Sequence, residues 1–384
     1  MPPRNWVEIS RGALRRNQEY VRRRLAPSTA LCAVVKADAY GHGAAACAEV
    51  FAHGGAEWLA VTSPEEGARL RVNGTSRVPV LVLAGFAPGD VAALLEHRLT
   101  PAVWDAEQIA WLAAGMAKCH PAGTPAGTLA VHLKVDTGMG RLGVTSAQET
   151  ALREALERAP QIRVEAVFSH LAAAEVTSGE GNEAQHREFL AALERWSRWL
   201  PGLASRNGAG HHLLNGEGAL RYPGWGGGMA RVGLALYGYS AQPEHAAHLT
   251  PALSWKTHVI ALKDLPAGHG VGYGPLYRAP RPMRVATIAA GYADGYRRQF
   301  SPGAHVLIGG VPAPVVGAIS MDLTTIDVTD VTEVPGVRLG DEVTLLGGSG
   351  PARVTALELA RLAGTIPYEI LCGLSARVER IYRD

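Results

Sequence analysis

The chain has 384 residues, 47% of them hydrophobic and 19% charged, with 37 basic against 35 acidic side chains and a net charge of +2. That is a globular composition with room for two domains, and it excludes a disordered or low-complexity protein. The charges are spread along the chain, which argues against a nucleic-acid binder.

The N-terminus carries polar and charged residues where a signal peptide would need an apolar run, and no stretch is long enough to span a bilayer. The cluster Arg15, Arg16, Arg22, Arg23 and Arg24 lies in an amphipathic stretch and reads as a solvated helix face. Cys32, Cys47, Cys119 and Cys372 form no C-x-x-C pair and match no zinc spacing, so reduced thiols and no metal are expected. A soluble cytoplasmic protein follows.

From Ala30 to about Gly238, continuous apolar runs alternate with helical patterns, as parallel strands covered on both faces do. The candidate strands are Leu31–Lys36, Trp58–Thr62, Val78–Leu83, Thr100–Trp104, Ala130–Val135, Val164–Ser169, Leu213–Asn215 and Val232–Leu236. Among the helices between them, Asp105–Ala117 starts on an acidic cap, and Ser146–Ala159 carries an S-x-x-E pattern through Glu149. Eight such units predict an α/β fold, an N-terminal (β/α)8 TIM-type barrel over residues 1–242. Its active residues belong at the C-terminal strand ends. From 243 to 384 the texture becomes short β runs broken by Gly and Pro, such as Val285–Ala289, His305–Ile308, Ala313–Val316 and Glu342–Leu346. This predicts a mainly β domain, with Ala356–Ala363 and Tyr368–Arg383 read as terminal helices.

The first barrel strand ends in Val34-Val35-Lys36 and continues Ala37-Asp38-Ala39-Tyr40-Gly41-His42-Gly43. A lysine partly desolvated at that end spends more time as the free amine that attacks a carbonyl. Taken alone it is equally a surface lysine at a strand end. Lys134 to Gly143 contains a formal G-x-G-x-x-G, but a dinucleotide loop should open straight into a helix, and here the helical pattern waits until Ser146. The Gly226-Gly227-Gly228-Met229-Ala230-Arg231-Val232-Gly233-Leu234 stretch offers backbone amides for an anion and a buried-looking arginine. His170, after Val167-Phe168-Ser169, is either a core histidine or a hydrogen-bond relay.

Taken together these segments resemble the alanine racemases over nearly the whole length and in the right order. The resemblance rests on Ala33 to Gly43, Lys134 to Gly143, Arg231-Val232-Gly233 with Leu236-Tyr237-Gly238, Gly291-Tyr292-Ala293-Asp294-Gly295 and Ser320-Met321-Asp322. Val271-Gly272-Tyr273-Gly274 and Ile366-Pro367-Tyr368-Glu369 add to it. It implies a fold-type III pyridoxal 5'-phosphate enzyme that interconverts L- and D-alanine as a homodimer with shared active sites.

By position, Lys36 would carry the cofactor, and Tyr40, Gly233, Leu234 and Tyr368 would hold its phosphate, with Asn215 and Gly216 beside them. Arg231 would face the pyridine nitrogen, next to a His170 coupled to Tyr273 of the other subunit. Arg141 and the Met321 backbone of the other subunit would meet the substrate carboxylate. Lys36 and Tyr273 would be the two bases that racemisation requires on opposite faces of the substrate. Lys134, seven residues before Arg141, would be carbamylated and hold that guanidinium.

Two positions depart from the family pattern. Gly216 stands where a serine hydroxyl usually reaches the phosphate, and Ala318 stands where many members place an arginine in the entrance corridor. The second departure keeps open a racemase of broader or different specificity, for serine or lysine. A pyridoxal phosphate-binding protein without turnover is the alternative from another class, and the β domain that carries Tyr273 argues against it. A fold-type III decarboxylase should be longer.

Overall fold

The strands Ala30–Val34, Trp58–Val61, Val80–Val82, Leu99–Val103 and Met229–Val232 are buried along their whole length with no alternation. Such runs need cover on both faces, which helices outside and packed side chains inside a barrel provide. In the computed structural model, which describes residues 3–384 apart from 73, 75–77, 120–126, 177, 179, 201–209, 275, 332–335 and 350–351, these five strands join Leu129–Lys134, Ile162–Phe168 and His211–His212 in one eight-stranded parallel sheet. The first and last barrel strands in chain order, Ala30–Val34 and Met229–Val232, pair with each other. The remaining gap is bridged by Gly228 N donating to His211 O (2.9 Å) and Arg231 N to Leu214 O (3.0 Å). The expected (β/α)8 barrel is present.

The sequence reading misplaced its last two strands. The seventh is His211–His212, two residues before the expected Leu213–Asn215, because Asn215 instead caps the helix Gly216–Arg221 by accepting from Gly218 N. The eighth is Met229–Val232, and the apolar run after it is a buried 3-10 turn, Leu234–Tyr237. Apolar continuity alone cannot separate the two. The cap expected at Ser146 with Glu149 is formed one residue earlier, by Thr145 with Gln148.

Glu149 then begins the helix Glu149–Glu157 and is buried, its carboxylate accepting from Arg195 (Nε 3.2 Å, Nη2 3.1 Å) and Arg153 (3.3 Å). Glu149→Gln removes the charge from those bonds and should lower unfolding stability by about 1.5–3 kcal/mol. Denaturant unfolding measures it, and a change below about 0.5 kcal/mol, the scale of an ordinary surface substitution, would show that the partly exposed arginines are solvated without it.

The chain divides into two compact units, one of Ala13–Ala39 with Ala44–Thr250 and one of Met1–Gly12 with Tyr40–Gly43 and Pro251–Asp384. The hub of the second is the 13-residue strand Leu253–Leu265, antiparallel to Asn5–Ser10, Met283–Ile288 and Glu342–Ser349. Asn5–Ser10 in turn pairs in parallel with Glu379–Arg383. The expected helix over Tyr368–Arg383 is therefore only Pro367–Cys372, and the chain ends in a strand. Four of its last six residues, Glu379, Arg380, Arg383 and Asp384, are charged, which suits a strand at the end of a sheet. His305–Ile308 and Val311–Pro314 form a hairpin whose turn, Gly309-Gly310, needs positive φ at both positions. Among the described residues no helix is long and apolar enough to cross a membrane.

Candidate active site

The barrel gathers its chemistry at the C-terminal ends of its strands, where side chains leave the packed interior for the mouth. Lys36 lies two residues beyond Ala30–Val34, Lys134 ends its strand, His170 lies two residues beyond Ile162–Phe168, and Arg231 lies in the last strand just before Gly233 and Leu234. Lys36 is followed by four consecutive residues in the left-handed region, Ala37, Asp38, Ala39 and Tyr40, with φ between 51° and 55°. Non-glycine residues resist this conformation by roughly 1–2 kcal/mol each. Local bonds hold the turn: Ala37 N donates to Glu66 Oε1 (2.9 Å) and Ala44 N to Asp38 Oδ1 (2.8 Å). Ala37 is exposed, so Ala37→Gly loses no packing. After the added entropy of glycine in the unfolded chain, it should raise stability by about 0.5–1 kcal/mol. A thermal melt that falls would show that the bonds to Glu66 and Asp38 already offset the strain of the turn.

Arg231 is 3% exposed and its guanidinium is almost fully engaged. Nη1 donates to His212 Nδ1 (2.5 Å) and His212 O (3.1 Å), and Nη2 to Ser169 O (2.6 Å) and Leu213 O (3.2 Å), with His170 Nδ1 3.3 Å away. Of the five N–H groups of an arginine, only that on Nε makes no hydrogen bond among the described residues. Burial lowers the pKa of Arg231 to about 10, so it stays cationic at neutral pH.

This concentration of positive charge acts on its neighbours. Burial first, then Arg231, Lys134, Arg141 and Lys36, hold His170 well below the ordinary imidazole range. Burial, then Arg231 and Arg141, lower Lys134 to about 7 against the opposing pull of Asp136. Lys134 is 5% exposed, with Nζ 4.6 Å from the centre of the Phe168 ring.

The Arg141 loop is shaped by Asp136, whose carboxylate accepts from the amides of Gly138 (2.9 Å), Met139 (3.0 Å) and Gly140 (3.1 Å). Gly143 closes it at φ +127°, where a side chain would strike the Asp136 amide at 2.5 Å. The three glycines of the formal G-x-G-x-x-G thus bend a loop back on itself, and none opens a helix.

In the other unit, Tyr273 is 70% exposed at the tip of a turn between Gly272 and Gly274, both at positive φ. The Ala318 backbone packs under that turn, 3.2 Å from where a Gly272 side chain would start. Met321 is 54% exposed, and its carbonyl accepts from Ala293 N (3.0 Å). The rings of Tyr40 and Tyr368 lie 5.9 Å apart, and burial, then Cys372, raises the Tyr40 phenol above its usual range.

The family model described as the alanine racemase N-terminal domain matches residues 9–241, and that of the C-terminal domain matches 252–382. The chain belongs to the alanine racemase family. It is 42% identical over 380 residues to the alanine racemase of Symbiobacterium thermophilum, covering 98% of this chain and 96% of that one. It is 39% identical over 373 residues to that of Syntrophobacter fumaroxidans, covering 96% and 95%. Among solved structures it resembles the Bacillus anthracis alanine racemase with bound L-Ala-P (TM-score 0.89, 31% identity, covering 100% and 96%). The alanine racemase of a D-cycloserine-producing Streptomyces lavendulae is similar too (TM-score 0.90, 31% identity, covering 100% and 98%).

Three polar residues of this alanine racemase barrel escaped the sequence reading. His212 and His132 are fully buried and joined, His212 Nε2 to His132 Nδ1 at 3.0 Å. Gln185, 6% exposed, accepts from Ala172 N (2.8 Å) and donates to His170 O (3.2 Å), with Thr137 Oγ1 3.4 Å away, tying the His170 turn to the start of the Arg141 loop. A polar residue inside an apolar run was the available signal for His132 in Val131-His132-Leu133-Lys134.

Proposed function

We propose that this protein interconverts L- and D-alanine, using pyridoxal 5'-phosphate held on Lys36. The observation that carries the reading is the set of Lys36, Lys134, Arg141, His170 and Arg231 at one strand mouth of a member of the alanine racemase family. The residues fit the cofactor. Arg231 has a single donor left over, Nε–H, suited to a neutral pyridine nitrogen, and the empty side-chain position of Gly216 lies 3.6 Å from the Gly233 amide, a cradle open to an anion. Gly233 and Leu234 would bind the phosphate through backbone amides, Tyr40 and Tyr368 would support it through side chains, and Asn215 would shape the cofactor site by capping the turn at Gly216. Bound pyridoxal phosphate supplies a conjugated electron sink that acidifies the α-hydrogen of a joined amino acid.

The chain's own groups then divide the work. Lys36 takes or returns the α-proton on one face, and Tyr273 from the partner subunit does so on the other. Arg231, which keeps its proton, leaves the pyridine nitrogen without one and so limits how much charge the ring accepts. Arg141 and the Met321 backbone of the partner subunit orient the substrate carboxylate. Formation of D-alanine from L-alanine by the purified protein with added pyridoxal phosphate tests the reading, and no product in either direction would overturn it. The small Ala318 under the Tyr273 turn favours a second, broader reading, in which larger amino acids such as serine or lysine are also turned over. A panel of L-amino acids separates the two.

Lys134 is expected to carry a carbamate. With its pKa near 7, the amine is largely neutral in mildly alkaline solution and can add carbon dioxide. The N–C bond forms, one proton leaves, and the new anion pairs with Arg141. Protein equilibrated with 13C-bicarbonate should show a carbamate carbon that Lys134→Ala removes. If that carbon is absent at mildly alkaline pH, Lys134 acts as a plain amine. Such an amine makes a different prediction: between about 7 and its unfolded value the unfolded chain would bind the extra proton, so stability would rise with pH.

A further inference from the structure

Beneath Arg231, the barrel holds two histidines whose proton positions follow from their partners. Arginine only donates, so the His212 Nδ1 that faces Nη1 at 2.5 Å must accept, and the ring proton of His212 belongs on Nε2. That nitrogen points at His132 Nδ1, 3.0 Å away, which must therefore accept in turn. The His132 proton then belongs on Nε2, a buried atom without a hydrogen-bond partner among the described residues. A second proton on either ring would set N–H against N–H.

We propose that His212 and His132 form a tautomer-locked strut that fixes the direction of the Arg231 guanidinium, and that His132 is a positioning residue acting through His212. The charged groups around the pair agree with neutral rings. Arg231 from the last strand faces both rings, Lys134 from the strand of His132 acts on His212, and His211 adjoins it; burial and then Arg231 bring His132 to about 3 and keep His212 well below its usual range. Both inner links, Arg231 Nη1 to His212 Nδ1 and His212 Nε2 to His132 Nδ1, are made in a buried setting, where such bonds hold the groups they join more firmly than in water.

His170, on the other side of Arg231, is different. The amide of Asn215 is oriented by Gly218 N on its oxygen and Leu171 O on its nitrogen, so it presents N–H to His170 Nε2 at 3.4 Å. Arg231 presents N–H to Nδ1 at 3.3 Å. A neutral ring accepts at one nitrogen only, so His170 can shift its proton between the two while the inner pair cannot.

The inference that Arg231 needs this support in catalysis rests on its proposed place at the cofactor, whereas the proton assignment does not. The test labels histidine with 15N in the full-length holoenzyme, assigning the His132 ring by the signals lost in His132→Asn and His132→Leu and the His212 ring by those lost in His212→Asn. Both rings should show an unprotonated Nδ1 and a protonated Nε2 between about pH 5 and 8, the range in which a free imidazole changes charge. An imidazolium or an Nδ1–H form in either ring overturns the strut. The variants supply the functional arm, because the asparagine oxygen stands where Nδ1 stood and leucine offers no acceptor. His132→Asn should keep kcat within about threefold, whereas His132→Leu should lower kcat by about 10- to 100-fold with little change in KM for L-alanine, as misplacement near 1 Å does. Equal kcat in His132→Leu and the parent overturns the positioning role. If the variants do not fold, the ring nitrogens of the unaltered protein still decide the lock. Locked rings together with full activity in Arg231→Lys would instead refute the place given to Arg231.

Discussion

Tyr273→Phe is expected to bind pyridoxal phosphate normally and to lose racemisation by about 10²- to 10⁴-fold, the usual worth of a positioned acid or base. Tyr273 stands 70% exposed between two glycines at positive φ, a costly place for a tyrosine with only a packing role. The variant should still exchange the α-proton of one enantiomer with solvent, because Lys36 remains. Subunit mixing then tests the shared site. In a dimer of one Tyr273→Phe chain and one Lys36→Ala chain, one site has both bases and the other has neither. Random exchange makes half the dimers mixed, each with one of two sites intact, so about one quarter of parental activity should return. Near-parental racemisation by Tyr273→Phe removes the phenol from the reaction. Confirmed exchange without recovery places both bases on one chain.

Arg231→Lys should be nearly as damaging, although it keeps the charge. Lysine has three N–H groups at one atom, while Arg231 serves His212 Nδ1, His212 O, Ser169 O and Leu213 O from two and still has Nε–H to spare. Three N–H groups cannot serve four acceptors, so at least one buried acceptor would lose its donor, a loss of about 1–3 kcal/mol in stability for each such group. Activity should fall by about 100-fold or more as the donor to the pyridine nitrogen disappears. Urea unfolding and steady-state kinetics on one preparation measure both. A variant with parental kcat/KM would mean that charge alone suffices at this position.

What the sequence disclosed of the fold followed burial. Strands covered on both faces, such as Leu31 to Val35, are uninterrupted apolar runs and can be read directly, and Lys36 stood out because it ends one. The seventh strand is two histidines long, too short for any period, and its neighbours Leu213 and Leu214 drew the assignment downstream. The left-handed turn after Lys36 was hidden because Ala-Asp-Ala-Tyr contains no glycine; the bonds from Glu66 and Asp38 that hold it come from side chains distant in sequence or unremarkable in it. His132 and His212 were invisible as a pair, since only the closed barrel brings together positions 80 residues apart. Arg231 could be suspected of burial, but which of its N–H groups remained available depended on three carbonyls that no side-chain pattern encodes.

The pairing of Asn5–Ser10 with Glu379–Arg383 also has a meaning for the order of synthesis. The first strand made waits for almost the last, a delay of about 20 to 70 seconds at roughly 5–20 residues per second. The segment from Ala13 to Thr250 holds every strand of the barrel and can close while the ribosome is still working. Asn5–Ser10 meanwhile has neither of its neighbours, and its exposed edge is the part of the nascent chain most in need of a chaperone. Emergence of Glu379–Arg383, rather than closure of the barrel, therefore marks the moment at which Asn5–Ser10 can gain both of its neighbours.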